Sequence, residues 1–324
     1  MDTLSKNIIR HLQIDFPLCS RPYQQTASRL GITEDILLTQ LRDLLDNKIL
    51  SRFGPLYHAE RLGGGLTLAA LRAAEHEFDA VADYVNSLPE VAHNYAREHE
   101  LNMWFVIATE KPEDIARVIN KIHLHTGLPV YDFPKQKEYY LGLKLNPDGQ
   151  AAESFAVNTL KKNQTSASLE SFDRLLIQAT QAGLALCAQP YQEVANQIGS
   201  DENSVIQRLQ TMLEQGMIRR IGVVPNHYKL GYCSNGMTVW DVKDDVVDAL
   251  GQQVGQLDFV SHCYRRPRHL PKWPYNLFAM VHARSHEEIQ QQIEKIKTLL
   301  GAHNQQHDVL FSRKILKKTG LRFS

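Results

Sequence analysis

The chain has 324 residues with 43% hydrophobic and 22% charged residues, a globular balance with room for two to four domains, which excludes a disordered chain. Lys plus Arg and Asp plus Glu both number 36, so the formal net charge is zero and the basic excess expected of a duplex-binding protein is missing. The N-terminal MDTLSKNIIRHLQID lacks an apolar signal region, and no stretch reaches the roughly 18 apolar residues of a membrane span. Cys19, Cys187, Cys233 and Cys263 form no C-x-x-C pair, which argues against a thiolate-held iron–sulfur cluster or zinc; a cytoplasmic protein with reduced thiols is expected.

Taken in chain order, residues 1–62 read as a helix-turn-helix domain. Leu4, Ile8, Ile9 and Leu12 share one helical face, and a short helix over Tyr23–Leu30 stops at Gly31. Thr33, followed by Glu34 and Asp35, is an N-cap with acidic first-turn residues. The longer helix it opens aligns Leu37, Leu41, Leu44 and Leu45, and ILSRFGPLYHAERLG then reads as a wing-like hairpin. Residues 63–146 alternate strand and helix. The expected elements are strand Leu66–Arg72, helix Glu77–Ser87, strands Val91–Arg97 and Asn102–Thr109, helix Pro112–His125 and strand Val130–Leu141. That β-α-β-β-α-β order is a ferredoxin-like sandwich. Residues 147–168, polar and poor in large apolar side chains, read as a linker.

The second half repeats the first. LCSRPYQQTASRLGITED is answered by LCAQPYQEVANQIGSDEN, and from Cys19 to Gly63 the offset is a constant 168 residues, with 13 of 45 positions identical and no gap. Residues 169–230 are therefore a second helix-turn-helix domain, with Phe172, Leu175, Leu176 and Ala179 on its first helix and Val205, Leu209, Met212 and Leu213 on its longer one. Residues 231–324 give a second ferredoxin-like domain: Ser234–Asp241, helix Asp244–Val254, Phe259–Arg266, Asn276–His282, helix His286–Leu299 and Asp308–Lys314. The fold class is α+β, a tandem duplication of a winged helix-turn-helix plus a ferredoxin-like domain.

Helix-turn-helix domains usually bind DNA, but these two are poorly charged for it. Thr33–Lys48 carries four carboxylates against two cations, and Asp201–Gln215 carries three against one. Phosphates repel such helices, because DNA affinity rests largely on cationic contacts; Arg219 and Arg220 in the second wing are a small exception. Packing or dimerisation modules fit better.

The chemistry gathers on one pair of equivalent strands. Alternation puts His93, Tyr95 and Arg97 on one strand face, and after a one-residue slip His262, Tyr264 and Arg266 do the same. One such strand could be merely the exposed face of a sandwich; its recurrence in both halves points to a site. The following hairpins diverge: four residues separate Arg97 from Asn102, whereas nine separate Arg266 from Asn276. The longer loop holds Arg268, His269, Lys272, Trp273 and Tyr275, basic groups interleaved with aromatics that suit a flat, polycarboxylated ligand. His99 is a further candidate, while His123, His125, His282 and His286 read as surface or packing histidines.

The doubled architecture resembles the Lrp/AsnC family of regulators. Within it, HNYAREHELNMWFV and HCYRRPRHLPKWPYNLFAMVH are similar to the paired siroheme decarboxylases of the NirD and NirL type, fused in one chain. The resemblance implies removal of carboxyl groups from two acetate side chains of sirohaem, giving a didecarboxylated product on the way to haem d1 or, by another route, haem. It implies no added cofactor, because the macrocycle beside each acetate can accept the electron pair, and no phosphate-binding glycine motif contradicts this; Gly63–Gly65 reads as a flexible loop. His93 and His262 take the roles of proton donor and axial ligand to the substrate iron, in either assignment, with Tyr95 and Tyr264 orienting them. Arg97, Arg266 and Arg268 clamp carboxylates, with His99, His269, Lys272, Trp273, Tyr275 and Asn276 completing the binding surface. Sirohaem is the expected partner, with neither DNA nor membrane; a homodimer, or contact with other proteins of haem d1 biosynthesis, stays open. A tetrapyrrole-sensing regulator and a non-catalytic tetrapyrrole chaperone are the competing readings.

Overall fold

The computed structural model describes residues 1–13, 15–142, 169–232 and 234–318, so the expected linker at 147–168 lies outside the described residues. The first helix-turn-helix consists of α1 (Thr3–Leu12), α2 (Pro22–Leu30) and α3 (Glu34–Asp46), followed by strand β1 (Leu50–Tyr57). Local chemistry sets these boundaries. Asp2 caps α1 by accepting from the Ser5 N–H at 2.7 Å, and the Thr33 hydroxyl accepts from the Ile36 N–H at the start of α3. Pro22 opens α2, where its missing N–H costs nothing, and Gly31 closes it at φ 69°, a left-handed conformation that suits glycine. The second unit, α6 (Ser171–Thr180), α7 (Pro190–Ile198), α8 (Glu202–Glu214) and β7 (Ile218–Pro225), uses the same devices, with Pro190 opening α7, Gly199 closing it at φ 69°, and Asp201 capping α8.

Between these units, α4 (Phe78–Ser87) and α5 (Asp114–Thr126) belong to the first ferredoxin-like module with β2 (Gly65–Leu71), β3 (Val91–Arg97), β4 (Met103–Thr109), β5 (Val130–Pro134) and β6 (Lys137–Leu141). The second module comprises β8 (Ser234–Val242), α9 (Val247–Gly255), β9 (Val260–Arg265), β10 (Leu277–Ala283), α10 (His286–Leu300) and β11 (Asn304–Lys318).

The two helix-turn-helix units share one core. Ile8, Leu12, Phe16, Tyr23, Leu41 and Phe53 pack with Ile177, Tyr191, Leu209, Met212 and Val223 in a single buried cluster. The symmetry is visible in hydrogen bonds: the Tyr23 hydroxyl donates to the Ala185 carbonyl at 2.9 Å and the Tyr191 hydroxyl to the Pro17 carbonyl at 3.0 Å. Each pair is the other shifted by 168 residues. The wings differ from expectation. Instead of a hairpin within each copy, β1 pairs antiparallel with β7 of the other, and the equivalent residues Gly54 and Gly222 face each other at the centre. The hairpin is thus supplied between the copies. On α6, Leu175 is 46% exposed and Ile177 takes the buried position.

The ferredoxin-like modules fuse into a nine-stranded sheet ordered β5-β2-β4-β3-β11-β8-β10-β9-β6. The expected strand at Val130–Leu141 is broken in two. Pro134, which has no N–H, ends β5 on its own module's β2, and two residues later β6 begins on β9 of the other module. β11 makes the reciprocal crossing without a break, pairing first with β8 and then with β3, and it runs longer than the expected Asp308–Lys314. Since Lys135 and Gln136 alone join the two ends of the ribbon, the halves fold face to face. Trp104, Phe133 and Ala70 of the first module meet Val239, Trp273, Phe278 and Leu310 of the second in a core between the sheets. Helices cover the outer faces, α4 and α5 over one half and α9 and α10 over the other. Burial on both sides explains why MWFVIAT and LFAMVHA read as nearly continuous apolar runs.

Candidate active site

On β3, Asn94 turns outward and donates to Asn86 of α4 at 3.0 Å, so His93, Tyr95 and Arg97 point inward, toward the opposed sheet. On β9, Cys263 turns outward to the Gly251 carbonyl of α9, leaving His262 and Tyr264 inward, with Arg266 following the strand. The two trios are built alike. His93 and Tyr95 ring centroids are 6.3 Å apart, His262 and Tyr264 6.1 Å, and the Arg97 and Arg266 guanidinium carbons lie 5.6 and 5.1 Å from the rings of Tyr95 and Tyr264. The expectation that alternate residues of these strands form two matching clusters holds in the geometry.

Each cluster draws residues from the other copy, and the sequence did not show which. Tyr228, just after β7, acts on Tyr95 and Arg97, and Lys318 at the end of β11 pairs in register with His93. Around His262 and Tyr264 stand Glu138 of β6 from the first copy and Arg219 of β7 from their own. His58 and Glu60 follow the first wing, and Lys135 bridges Glu60 and Glu138, at 2.9 Å from the latter. His227 links the two sides: its ring lies 5.7 Å from that of His282, and Lys318 acts on it as on His93.

The electrostatics are those of a buried cationic site with too few anions. Desolvation, helped by Lys318, lowers His93 to about 4; desolvation, helped by Arg219, lowers His262 to about 4, so both imidazoles are neutral at pH 7. Burial alone pulls Arg97 down to about 10, and Arg266 likewise, and it raises the phenols of Tyr95 and Tyr264. Arg97 has one nitrogen on the Leu310 carbonyl, and Arg266 has one on the Phe133 carbonyl. Their Nε atoms, the Nε of Arg219 and the Nδ1 atoms of His58 and His93 are sealed from solvent without a hydrogen-bond partner among the described residues. An unsatisfied buried polar atom costs about 1–3 kcal/mol. Five such nitrogens leave the two clusters with unmet hydrogen-bonding capacity.

The long second hairpin has a different use from the one its composition suggests. Arg268 spends its whole fork on the protein: on Asp241 at 2.7 Å, Asp244 at 2.6 Å, and the Pro274 and Val242 carbonyls. Asn276 is 2% exposed and ties the same turn through Val242 and Asp244. Trp273 is fully buried against Trp104, Phe133 and Tyr275 in the core between the sheets. His269 bonds to the Asp132 carbonyl, His99 stacks edge-on to Trp273 and lies 3.7 Å from Asp308, and Lys272 is exposed. The loop is a brace holding β9 and β10, and the arginines beside the two trios are Arg97, Arg266 and Arg219. Among the histidines set aside, His123 and His125 are on the outer face of α5, whereas His282 is 9% exposed and hydrogen-bonded inside the site. A signal for it exists in the sequence, since its equivalent in the first copy is Ala108.

Fold and geometry together define a duplicated helix-turn-helix and ferredoxin-like protein with two matching His-Tyr-Arg clusters that draw on both copies. Comparison with known proteins makes the class specific. The model of an AsnC-like ligand binding domain matches residues 62–140 and 229–317, and that of a siroheme decarboxylase NirDL-like HTH domain matches 5–50 and 173–219. The siroheme decarboxylase of Hydrogenobacter thermophilus is 30% identical over 98% of this chain and 93% of its own. The siroheme decarboxylase NirH subunit of Pseudomonas aeruginosa is 54% identical over 47% of this chain and 88% of its own. A crystal structure of the siroheme decarboxylase NirDL in complex with an iron-uroporphyrin III analogue superposes with a TM-score of 0.73 at 27% identity, covering 99% of this chain and 93% of that one. The chain belongs to the siroheme decarboxylase family, as the paired His-Tyr-Arg strands implied.

Proposed function

We propose that the chain removes, as carbon dioxide, the carboxyl groups of two acetate side chains of sirohaem, giving the didecarboxylated tetrapyrrole, at the site formed between its two copies. The observation that carries this reading is the pair of inward trios, His93, Tyr95 and Arg97 and His262, Tyr264 and Arg266, built alike on equivalent strands. A tetrapyrrole rimmed with carboxylates would supply anions to these arginines, and guanidiniums bind carboxylates as forks. The complexed relative carries an iron-uroporphyrin III analogue, another iron tetrapyrrole.

Each turnover breaks one C–C bond, releases carbon dioxide and leaves its electron pair on the methylene carbon, beside a macrocycle that can delocalise it. The substrate serves as its own electron sink and its own source of iron, so no added cofactor is needed. The protein must supply one proton per carbon dioxide, converting CH2 to CH3. One of the two inward imidazoles delivers it, and the other meets the iron; Tyr95 and Tyr264 hold them in place. Both imidazoles are neutral in the free chain, yet a carboxylate entering a desolvated site favours the imidazolium. The substrate thus charges the acid that protonates it. An arginine-paired carboxylate resists losing carbon dioxide, so Arg97 and Arg266 hold the groups that stay while the reacting acetate faces a histidine.

A regulator has nothing in its favour, given the acidic α3 and α8 segments. Anaerobic incubation of the chain with sirohaem, followed by mass spectrometry of the tetrapyrrole, should show stepwise loss of two carbon dioxide units. Binding without mass change would establish a tetrapyrrole carrier instead.

A further inference from the structure

The two inward histidines have different neighbours. Behind His93 the first module has Ala92 on β3, Ala108 on β4 and Leu66 on β2, none with a side chain that hydrogen-bonds. The equivalent positions of the second module are Ser261, His282 and Asn235, and they form a chain. Ser261 Oγ lies 2.7 Å from His262 Nδ1 and 2.7 Å from His282 Nε2, and His282 Nδ1 lies 2.6 Å from Asn235 Oδ1.

The proton positions follow from the far end. Asn235 Nδ2 donates to the Tyr232 carbonyl at 2.8 Å, so the atom facing His282 is the amide oxygen, which only accepts. His282 Nδ1 must therefore carry the hydrogen. Burial and the adjacent imidazoles of His262 and His227 keep His282 uncharged, which leaves its Nε2 a bare acceptor. The Ser261 hydroxyl has one proton, and at 2.7 Å it goes to that nitrogen in preference to the Met280 carbonyl at 3.4 Å. Ser261 Oγ can then only accept from His262, so His262 is protonated on Nδ1.

We infer that Ser261, His282 and Asn235 are positioning residues that lock His262 in the Nδ1–H tautomer, so that its Nε2 offers a lone pair to the occupant of the site. Given the sirohaem reading above, on which this assignment of partner rests, His262 is the ligand to the substrate's iron and His93 the proton donor. A metal-bound histidine commonly donates its other ring N–H to such a partner, and losing that partner weakens metal binding roughly 10–100-fold. His93 Nδ1 has no such partner among the described residues.

The test begins on the ligand-free chain with 15N-labelled histidine. NMR should report His262, identified by the loss of its signals in His262→Ala, as the pure Nδ1–H tautomer; an Nε2–H His262 overturns the inference without any variant folding differently. Ser261→Ala and His282→Leu should release the tautomer, whereas Ser261→Thr and His282→Gln, which keep the hydroxyl and an acceptor, should restore it. Titration with ferric uroporphyrin as probe should then give the absorption and EPR signature of imidazole ligation in wild type and in His93→Ala, and not in His262→Ala. In Ser261→Ala it should need roughly 10–100-fold more porphyrin. Ligation that survives in His262→Ala and vanishes in His93→Ala would reverse the assignment. If wild type took up no porphyrin while His262 proved to be Nδ1–H, the sirohaem reading would fail and the locked tautomer would stand.

Discussion

The helix-turn-helix pair and the sheet pair come from the same duplication, and they have kept its symmetry unequally. In the helical region, Tyr23 and Tyr191 exchange hydrogen bonds with carbonyls at matching positions, Gly54 faces Gly222, and both α2 and α7 start on proline and stop on glycine. In the sheets, Ala92 answers Ser261, Ala108 answers His282, one final strand is split at Pro134 and the other is continuous. A core between identical modules has no reason to diverge, because each side packs against its own likeness. On the proposed reading the sheets hold one molecule, with one iron and several distinct carboxylates, which gains from two different imidazoles. The contrast marks which part is scaffold and which part does chemistry.

Acid should separate the two regions most strongly. His58, His93, His227, His262 and His282 are all held below their ordinary value, chiefly by burial, at about 3 to 4. A folded value below the unfolded one means that the unfolded chain takes up the proton first. Stability is therefore complete above about pH 6.5 and is lost as the pH falls from there towards 4. By pH 5 a histidine held near 4 withdraws about 2 kcal/mol, and the cluster withdraws more than any one member. Among the described residues the helices α1–α3 and α6–α8 carry a single histidine, the exposed His11, and Trp104, Trp240 and Trp273 are all buried in the sheet modules. Tryptophan fluorescence should therefore report loosening at a higher pH than the far-UV helix signal; simultaneous loss would mean that the regions do not separate.

His93→Ala comes next, with turnover lower by roughly 10^2- to 10^4-fold, the usual contribution of a general acid. Arg268→Met should cost about 3 kcal/mol in denaturant unfolding, because it strands the nearly buried Asp241 carboxylate. A loss confined to tetrapyrrole affinity would instead make Arg268 a clamp. The smallest effects are expected at Tyr23→Phe and Tyr191→Phe, each about 1–2 kcal/mol for an orphaned carbonyl. Equal values would confirm the symmetry of that core, and unequal ones would show it has drifted.

Much of this was legible in the residues. Constant spacing revealed the duplication, and period-two alternation placed His93, Tyr95 and Arg97 on one face, as it did their counterparts. What stayed hidden depended on the pairing of the copies. His58, Glu60, Arg219, His227, Tyr228 and Lys318 reach the site only because β1 meets β7 and the last strands cross over, and no local periodicity encodes that. The second hairpin misled for another reason: arginine between aromatics looks the same whether it clamps a ligand or braces a turn, and only Asp241 and Asp244, remote in sequence, decide between them. His282 was within reach. Comparing the copies for positions where a small apolar residue faces a polar one would have exposed the Ser261–His282–Asn235 chain.

The most direct test of unequal histidines in a shared site is anaerobic single-turnover incubation of wild type, His93→Ala and His262→Ala with sirohaem, followed by mass spectrometry of the tetrapyrrole. Wild type should lose two carbon dioxide units. His93→Ala should bind sirohaem with its iron still ligated and leave the mass unchanged on the same timescale. An undiminished double decarboxylation by His93→Ala would contradict the account.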